Sequence, residues 1–340
     1  MRAAVFHEIG GPEVVRIEDV PRPTPGPGEV LLRVRAAALN HLDLWVRRGL
    51  PIETTMPHIG GSDVAGEVHE LGAGVTGIER GALVVVDPSL GCGRCEWCLR
   101  GEQSVCNSYR ILGEHTQGGF AEFVVAPAAN LYRLPAGTDP VFAAAAPLAY
   151  LTAWRALKTR ARLAPGESVL ITGASGGVAS AAVQIAALLE ARVYAVTTGA
   201  NVERVRALGA HVVYDRERVD YAKEIWRDTS KRGVDVVLDS VGATTWQTNV
   251  RALARLGRLV VYGATTGAPA VTDLRTVFWK QLEIIGTTMS THAEFREVMD
   301  LVFSGKLQPV VDSVLPLSEA RAAHERLERG QQFGKIVLVP

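Results

Sequence analysis

The chain has 340 residues, 47% of them hydrophobic, with 36 basic and 36 acidic side chains and a formal net charge of +0. That length holds two domains of ordinary size. Balanced charge without a long basic run argues against nucleic acid or an anionic membrane as a partner. The most apolar stretches, near 141–154 and 178–189, are too short to span a bilayer. The N-terminus has an early acid, Glu8, and no sustained apolar segment. A soluble, cytoplasmic protein is expected.

Residues 1 to about 130 carry short β-type runs at 29–36, 66–71, 82–86 and 120–125, separated by Gly and Pro. A β-rich domain fits this pattern, with the run from Pro21 to Gly28 as a stiff extended link that ends in a turn.

All four cysteines fall within fifteen residues. Cys92, Cys95, Cys98 and Cys106 are spaced C-x2-C-x2-C-x7-C in a loop with Gly91, Gly93 and Gly101. In a cytosolic chain this reads as one tetrahedral zinc site rather than disulfides or free thiols. Four protein ligands close the site, so the metal is structural and leaves no position for substrate.

From 149 to 287 strand and helix alternate. The apolar, β-branched run at 168–172 turns through Gly173, Ala174, Ser175, Gly176, Gly177 and Val178 into an Ala-, Leu- and Val-rich helix at 180–189. Free N–H groups at the helix start attract an anion, and bare glycines let a pyrophosphate approach the backbone. Further strands are expected at 191–197, 212–214, 234–239 and 257–262, with a helix near 202–208. The alternation predicts a doubly wound parallel sheet, a dinucleotide-binding Rossmann domain. The glycine spacing is a variant, Gly173-x-x-Gly176-x-x-Ala179.

Beyond it, 293–303 and 317–329 read as helices and 335–339 as a last strand. The expected division is 1–148 with a returning tail at 288–340, and 149–287 between them. The stretch 277–288 is apolar and β-prone, an edge strand open to pairing.

These stretches together resemble the medium-chain dehydrogenase/reductase superfamily nearly end to end. The resemblance rests on Arg2-Ala3-Ala4-Val5-Phe6, the run Gly28–Val34, Gly118-Gly119-Phe120-Ala121-Glu122-Phe123, Leu208-Gly209-Ala210, Gly334-Lys335-Ile336-Val337-Leu338 and, most specifically, the cysteine lobe. It implies an α/β fold: a GroES-like β-rich catalytic domain plus the Rossmann domain. It also implies a homodimer or homotetramer built by extending the Rossmann sheet.

Zinc alcohol dehydrogenases of that superfamily hold a catalytic zinc through Cys, His and Cys. The corresponding positions here are Asn40, Ser62 and Leu148, which cannot together hold zinc. The Asn40-x-x-Asp43 pattern with Leu151-Thr152-Ala153-Trp154 instead resembles metal-free quinone oxidoreductases and enone reductases.

The expected activity is therefore hydride transfer from NAD(P)H to a small-molecule quinone, enone or other activated carbonyl. The Asn40 amide would polarise the acceptor oxygen, and Asp43 would orient its neighbours. His115 is a candidate proton donor. By resemblance, His41, Thr152 and Lys335 would contact the cofactor. The turn Gly173, Ser175, Gly176, Gly177 and Val178 would cradle its pyrophosphate, and the strand ends at Ser240, Gly242, Gly263 and Ala264 would line it.

Counting about 20 residues past the glycines reaches Thr197, Thr198 and Asn201 with no acid. With Arg204 near, that favours NADP, with NAD possible. Loops such as 50–57 would shape the pocket. Two other readings remain open at this point. One is an alcohol dehydrogenase with unusual metal ligands such as His41, Asp43 and Asp63. The other is a non-catalytic cofactor-binding protein of the lens or RNA-binding kind.

Overall fold

The computed structural model describes residues 1–51 and 54–340; residues 52 and 53, in the loop expected to shape the pocket, lie outside the described residues. In chain order the strands are β1 Arg2–Phe6, β2 Arg16–Asp19, β3 Glu29–Ala38, β4 His58–Ile59, β5 Asp63–Leu71, β6 Leu83–Val86, β7 Ser89–Leu90, β8 Arg110–Ile111, β9 Phe123–Pro127 and β10 Leu131–Arg133. There follow β11 Ser168–Ile171, β12 Arg192–Thr197, β13 Val212–Asp215, β14 Val234–Asp239, β15 Leu253–Val261, β16 Glu283–Gly286, β17 Val311–Pro316 and β18 Lys335–Val339. The helices are α1 His41–Arg48, α2 Glu96–Leu99, α3 Pro140–Ala144, α4 Pro147–Trp154, α5 Gly177–Leu188, α6 Val202–Ala207, α7 Tyr221–Asp228, α8 Trp246–Ala252, α9 Leu274–Lys280, α10 His292–Phe303 and α11 Ala320–Glu328. None among the described residues is long and apolar enough to cross a membrane.

The chain divides into two compact units. The first is Met1–Leu151 with Ser290–Gly305 and Pro309–Pro340; the second is Thr152–Met289 with Lys306–Gln308. In the first unit one sheet runs β10-β6-β5-β3-β18-β17, with β9 also on β3. Strand β3 is its axis. Val30, Leu32 and Val34 alternate inward and pack with Val64, Val68, Val84, Val124, Ile336 and Leu338, as a half-buried antiparallel strand does. β5 and β18 flank its end, with Ala38 opposite both Asp63 and Val337. Three strand ends therefore meet where β3 turns into α1, and that junction builds the site below.

The second unit is a six-stranded parallel sheet ordered β13-β12-β11-β14-β15-β16. Its strands are near-continuous apolar runs. Leu170, Tyr194, Val196, Val237 and Leu259 are buried on it with Ile225, Val250 and Leu253, as in a sheet covered on both faces. Strand order reverses between β11 and β14, which opens a crevice at their carboxyl ends.

The apolar stretch 277–288 is not one edge strand. Its start belongs to α9, whose first turn is capped by Asp273 accepting from Arg275 N, and Gln281 at φ 53° ends that helix. Only Glu283–Gly286 pairs with β15. A helix cap outweighs the β-propensity of Val277, Phe278 and Trp279.

Candidate functional site

Where β3 ends, Asn40 precedes α1 and its backbone N–H donates to Asp43 Oδ2 at 2.7 Å. Asp43 Oδ1 accepts from Gly61 N at 3.0 Å, which pins the β4–β5 turn to the start of α1. Gly61 sits at φ +97°, and a side chain there would strike Phe120, so the turn requires glycine. Asp43 is 2% exposed. Burial pushes its carboxyl up to about 6, against the pull of the two N–H groups.

The strand ends bring Asn40 and Lys335 together with Asp63, which sequence reasoning considered only as a metal ligand. Lys335 Nζ donates to Asp63 Oδ2 at 2.8 Å and to Asn40 Oδ1. Asn40 Nδ2 donates to the same Asp63 Oδ2 at 2.9 Å and only distantly, at 3.5 Å, to Ala38 O. Asp63 Oδ1 accepts from Leu148 N at 2.8 Å. Asn40, Asp63 and Lys335 are all buried, and Ser62 Oγ, fully buried beside them in sequence, has no hydrogen-bond partner.

The positions that resembled metal-ligand positions thus hold an amide bound to the Lys335 ammonium, an orphan hydroxyl and a leucine whose backbone N–H is spent on Asp63. This donor set offers no thiolate or imidazole and has a fixed positive charge against one of its members, so it does not fit a divalent cation. His41, Asp43 and Asp63 form no convergent group. Among the described residues the four cysteines alone bring three or more His, Cys, Asp or Glu donors to one point. His41, half-buried, packs edge-on to Trp45, and burial lowers its pKa.

Glu114 was visible in the sequence only as the neighbour of His115. It is 8% exposed, and burial, then the charge of Asp43, pushes its carboxyl up to about 7. Its Oε2 has no hydrogen bond and lies 3.5 Å from His115 Nδ1. His115 Nδ1 accepts from Ile111 N at 3.1 Å, which leaves the ring proton of the neutral form on Nε2. Burial lowers the His115 pKa. Burial thus moves the two in opposite directions, the Glu114 carboxyl up towards neutral pH and the His115 imidazole down.

In the second unit the turn after β11 has Gly173 at φ +61°, and α5 starts at Gly177 after the cap Gly176. Ser175, Gly176, Gly177 and Val178 are all part-exposed, so the helix start is open. A Cβ on Gly176 would meet only Gly173 O, at 3.5 Å. The turn leaves a backbone cradle for a pyrophosphate.

The expected cofactor residues on the other strands lie at the carboxyl ends of the same sheet. Ser240 and Gly242 follow β14, where Asp239 accepts from Thr172 Oγ1, Thr245 Oγ1 and Gly242 N at 2.6, 2.9 and 2.9 Å. Gly263 and Ala264 follow β15, and a Cβ on Gly263 would lie 3.2 Å from that of Ser240. At the end of β12, Thr197 Oγ1 is buried without a partner, an orphan hydroxyl that a bound dinucleotide would satisfy. Thr198 Oγ1 accepts from Asn201 Nδ2 at 3.4 Å, and Arg204 lies exposed on α6. Thr152 is buried on α4. The second unit therefore fits a nicotinamide dinucleotide.

A count along β12 found no acid, but one stands beside its end on the next strand. Asp215 is the register partner of Thr197, and a Cβ on Gly199 would lie 2.7 Å from Asp215 Oδ2. Sequence reading did not single out this residue, because the acid lies on β13, not on β12.

The four cysteine Sγ atoms lie within 4.8 Å of one another, and those of Cys95 and Cys106 are 3.7 Å apart. A Zn–S bond of about 2.3 Å requires about 3.8 Å between tetrahedral sulfurs. Backbone N–H groups of Cys92 and Ser108 point at Cys106 Sγ, and that of Cys95 at Cys92 Sγ, at 3.3 to 3.4 Å. Hydrogen bonds of this kind, with that of Cys98 N–H first, pull the Cys95 thiol down to about 6, while burial pushes Cys98 up to about 12. The quartet fits one zinc ion.

Residues 26–136 match the family described as alcohol dehydrogenase GroES-like domain, and residues 208–338 match zinc-binding dehydrogenase. The chain is 36% identical to an NAD-dependent alcohol dehydrogenase of Sulfolobus acidocaldarius, covering 99% of each. It belongs to the medium-chain dehydrogenase/reductase superfamily. Within that superfamily it is also 31% identical to an acryloyl-coenzyme A reductase of Metallosphaera sedula, again over 99% of each chain. A crystal structure of an NAD-dependent alcohol dehydrogenase superposes on it with a TM-score of 0.97, at 43% identity and full coverage of both chains.

Proposed function

We propose that the chain reduces a conjugated or otherwise activated carbonyl compound, such as an enone, an α,β-unsaturated thioester or a quinone, with no metal at the reacting position. It is an NAD(P)-dependent oxidoreductase; the bound nicotinamide supplies the hydride, and the protein supplies position and polarity. The observation that carries the reading is the buried Lys335 ammonium, held by Asp63 and by Asn40, one of the positions that resemble metal-ligand positions.

A positive charge fixed there favours negative charge developing on a substrate oxygen. The second hydrogen of Asn40 Nδ2 has only the 3.5 Å contact with Ala38 O, so it is the donor with least to lose by turning to that oxygen. Asp43 holds the start of α1, and hence Asn40, in place. Glu114, with its carboxyl near 7 and one oxygen unpartnered, holds the proton that completes the reduction. The four thiols hold a structural zinc. A second copy of the chain pairs along the exposed edge of β16, making a homodimer or a larger assembly.

Similarity to alcohol dehydrogenases favours a second reading, oxidation of simple alcohols, which needs a Lewis acid or equivalent to stabilise an alkoxide. The test is nicotinamide oxidation with an enone, an ortho-quinone and a simple aldehyde, with and without a chelator. Enone or quinone turnover that survives chelation is expected. Turnover of the aldehyde alone, lost on chelation while the protein stays folded, would reverse the assignment.

A further inference from the structure

We propose that Asp215 is the residue that selects the dinucleotide, taking NAD(H) and rejecting NADP(H). The proposal rests on the second unit being the dinucleotide site and names the determinant within it. In this fold class the acid that binds the adenosine ribose ends the second strand of the unit, about 20 residues past the glycines. Here that position is Thr197, and it carries no charge. Asp215 ends the neighbouring parallel strand and stands level with it. Side chains in register on parallel strands leave the sheet on the same side.

Gly199 begins the turn that follows β12, and Asp215 Oδ2 stands 2.7 Å from where its Cβ would be. The missing side chain of Gly199 is the room the carboxylate occupies. The two features work together: glycine in the turn opens the space, and the acid from β13 fills part of it.

Asp215 is also held still. Its Oδ1 accepts from Glu217 N at 3.0 Å, its Oδ2 faces Arg218 Nε at 3.2 Å, and its side chain is only 14% exposed. Ribose hydroxyls can donate to such a carboxylate. A 2′-phosphate would bring about two negative charges against it. The cations in reach are weaker opponents. Arg218 is tied to the carboxylate itself with its side chain 82% exposed, and Arg204 and Arg216 are exposed, where solvent and salt screen them. The orphan Thr197 hydroxyl adds a neutral partner for a ribose oxygen.

The experiment measures dissociation constants of NAD+, NADP+, ADP-ribose and 2′-phospho-ADP-ribose for the full chain and for Asp215→Asn and Asp215→Ser. The KM values for NADH and NADPH are measured alongside. The wild-type protein should favour the unphosphorylated member of each pair by about tenfold or more, the effect of one close like-charge contact at a partly buried site. Asp215→Asn should narrow that ratio about tenfold, chiefly by tightening the 2′-phosphorylated ligands, with the change in Kd and KM rather than kcat. ADP-ribose and its 2′-phosphate isolate the ribose end from nicotinamide chemistry. A wild-type preference for NADP+ overturns the proposal without any variant, as does a ratio unmoved in both variants. Binding of none of the four ligands would overturn the dinucleotide reading itself, and the proposal with it.

Discussion

Asn40 has its amide oxygen on Lys335 and its amide nitrogen on Asp63, so replacing any of the three leaves a buried partner unmatched. Breaking a buried pair costs about 3–5 kcal/mol, because the remaining charge is uncompensated. Lys335→Met should lower the urea-unfolding free energy by about that amount. It should also lower enone turnover about 100-fold or more, the scale of losing one fixed electrostatic group. Asn40→Ala should slow turnover with a smaller loss of stability; unchanged turnover would remove Asn40 from the chemistry.

His324 offers a separate test at the same scale. It is 4% exposed, packs edge-on to Phe120 at 6.0 Å, and burial, then Arg47, drives its pKa down to about 3. Below pH 6.5 the unfolded chain takes up a proton that the folded site refuses. Stability should therefore fall as pH drops from about 6.5 towards about 3, by up to about 1.4 kcal/mol per unit from this residue. Urea titrations between pH 7 and 5 should show a shallower loss for His324→Leu than for wild type.

The proposed roles of the cysteine lobe and of the β16 edge can each be tested apart from the chemistry. If zinc braces the lobe, chelation or Cys98→Ser should lower the melting temperature, while turnover per folded molecule stays within about twofold, as for a closed structural site. Loss of all turnover in a protein that remains folded would make the metal catalytic. At the sheet edge, Ile284 is 47% exposed on β16, with Phe278 at 61% and Trp279 at 69% on α9. An unpaired edge next to exposed aromatic surface invites pairing. Light scattering should give a dimer or larger, and Ile284→Lys should shift it towards monomer; a monomeric wild type would end that reading.

Over the whole molecule, two kinds of sheet divide the work. The mostly antiparallel sheet, with only β17 and β18 parallel, brings three strand ends into one polar cluster. The parallel sheet aligns the carboxyl ends of its strands along one edge, where glycine turns and helix starts favour an anion. Enone reduction that survives chelation, as tested above, is the expectation for a chain in which an ammonium binds the amide at one of the positions resembling metal ligands. A second metal per chain by elemental analysis, beyond the one that four thiols can hold, would contradict it.

Much of this was legible in the letters because local patterns carry it. A short β-type run between Gly and Pro marked β3, apolar β-branched runs marked β11, β12 and β14, and cysteine spacing alone marked the four-thiol lobe. The stretch 277–288 misled, since Asp273 lies outside the apolar run and its capping bond decides helix over strand.

What the sequence determined by itself was the order of elements, the glycine turn, the four thiols and the absence of the usual metal-ligand residue types. What only the tertiary structure decided was partnership between residues far apart in the chain. Asn40, Asp63 and Lys335 meet because β5 and β18 flank β3, and Asp215 reaches Gly199 in the turn after β12 because β13 lies beside β12. Strand adjacency is set by how the whole apolar surface is buried, and that is a property of no short stretch of the chain.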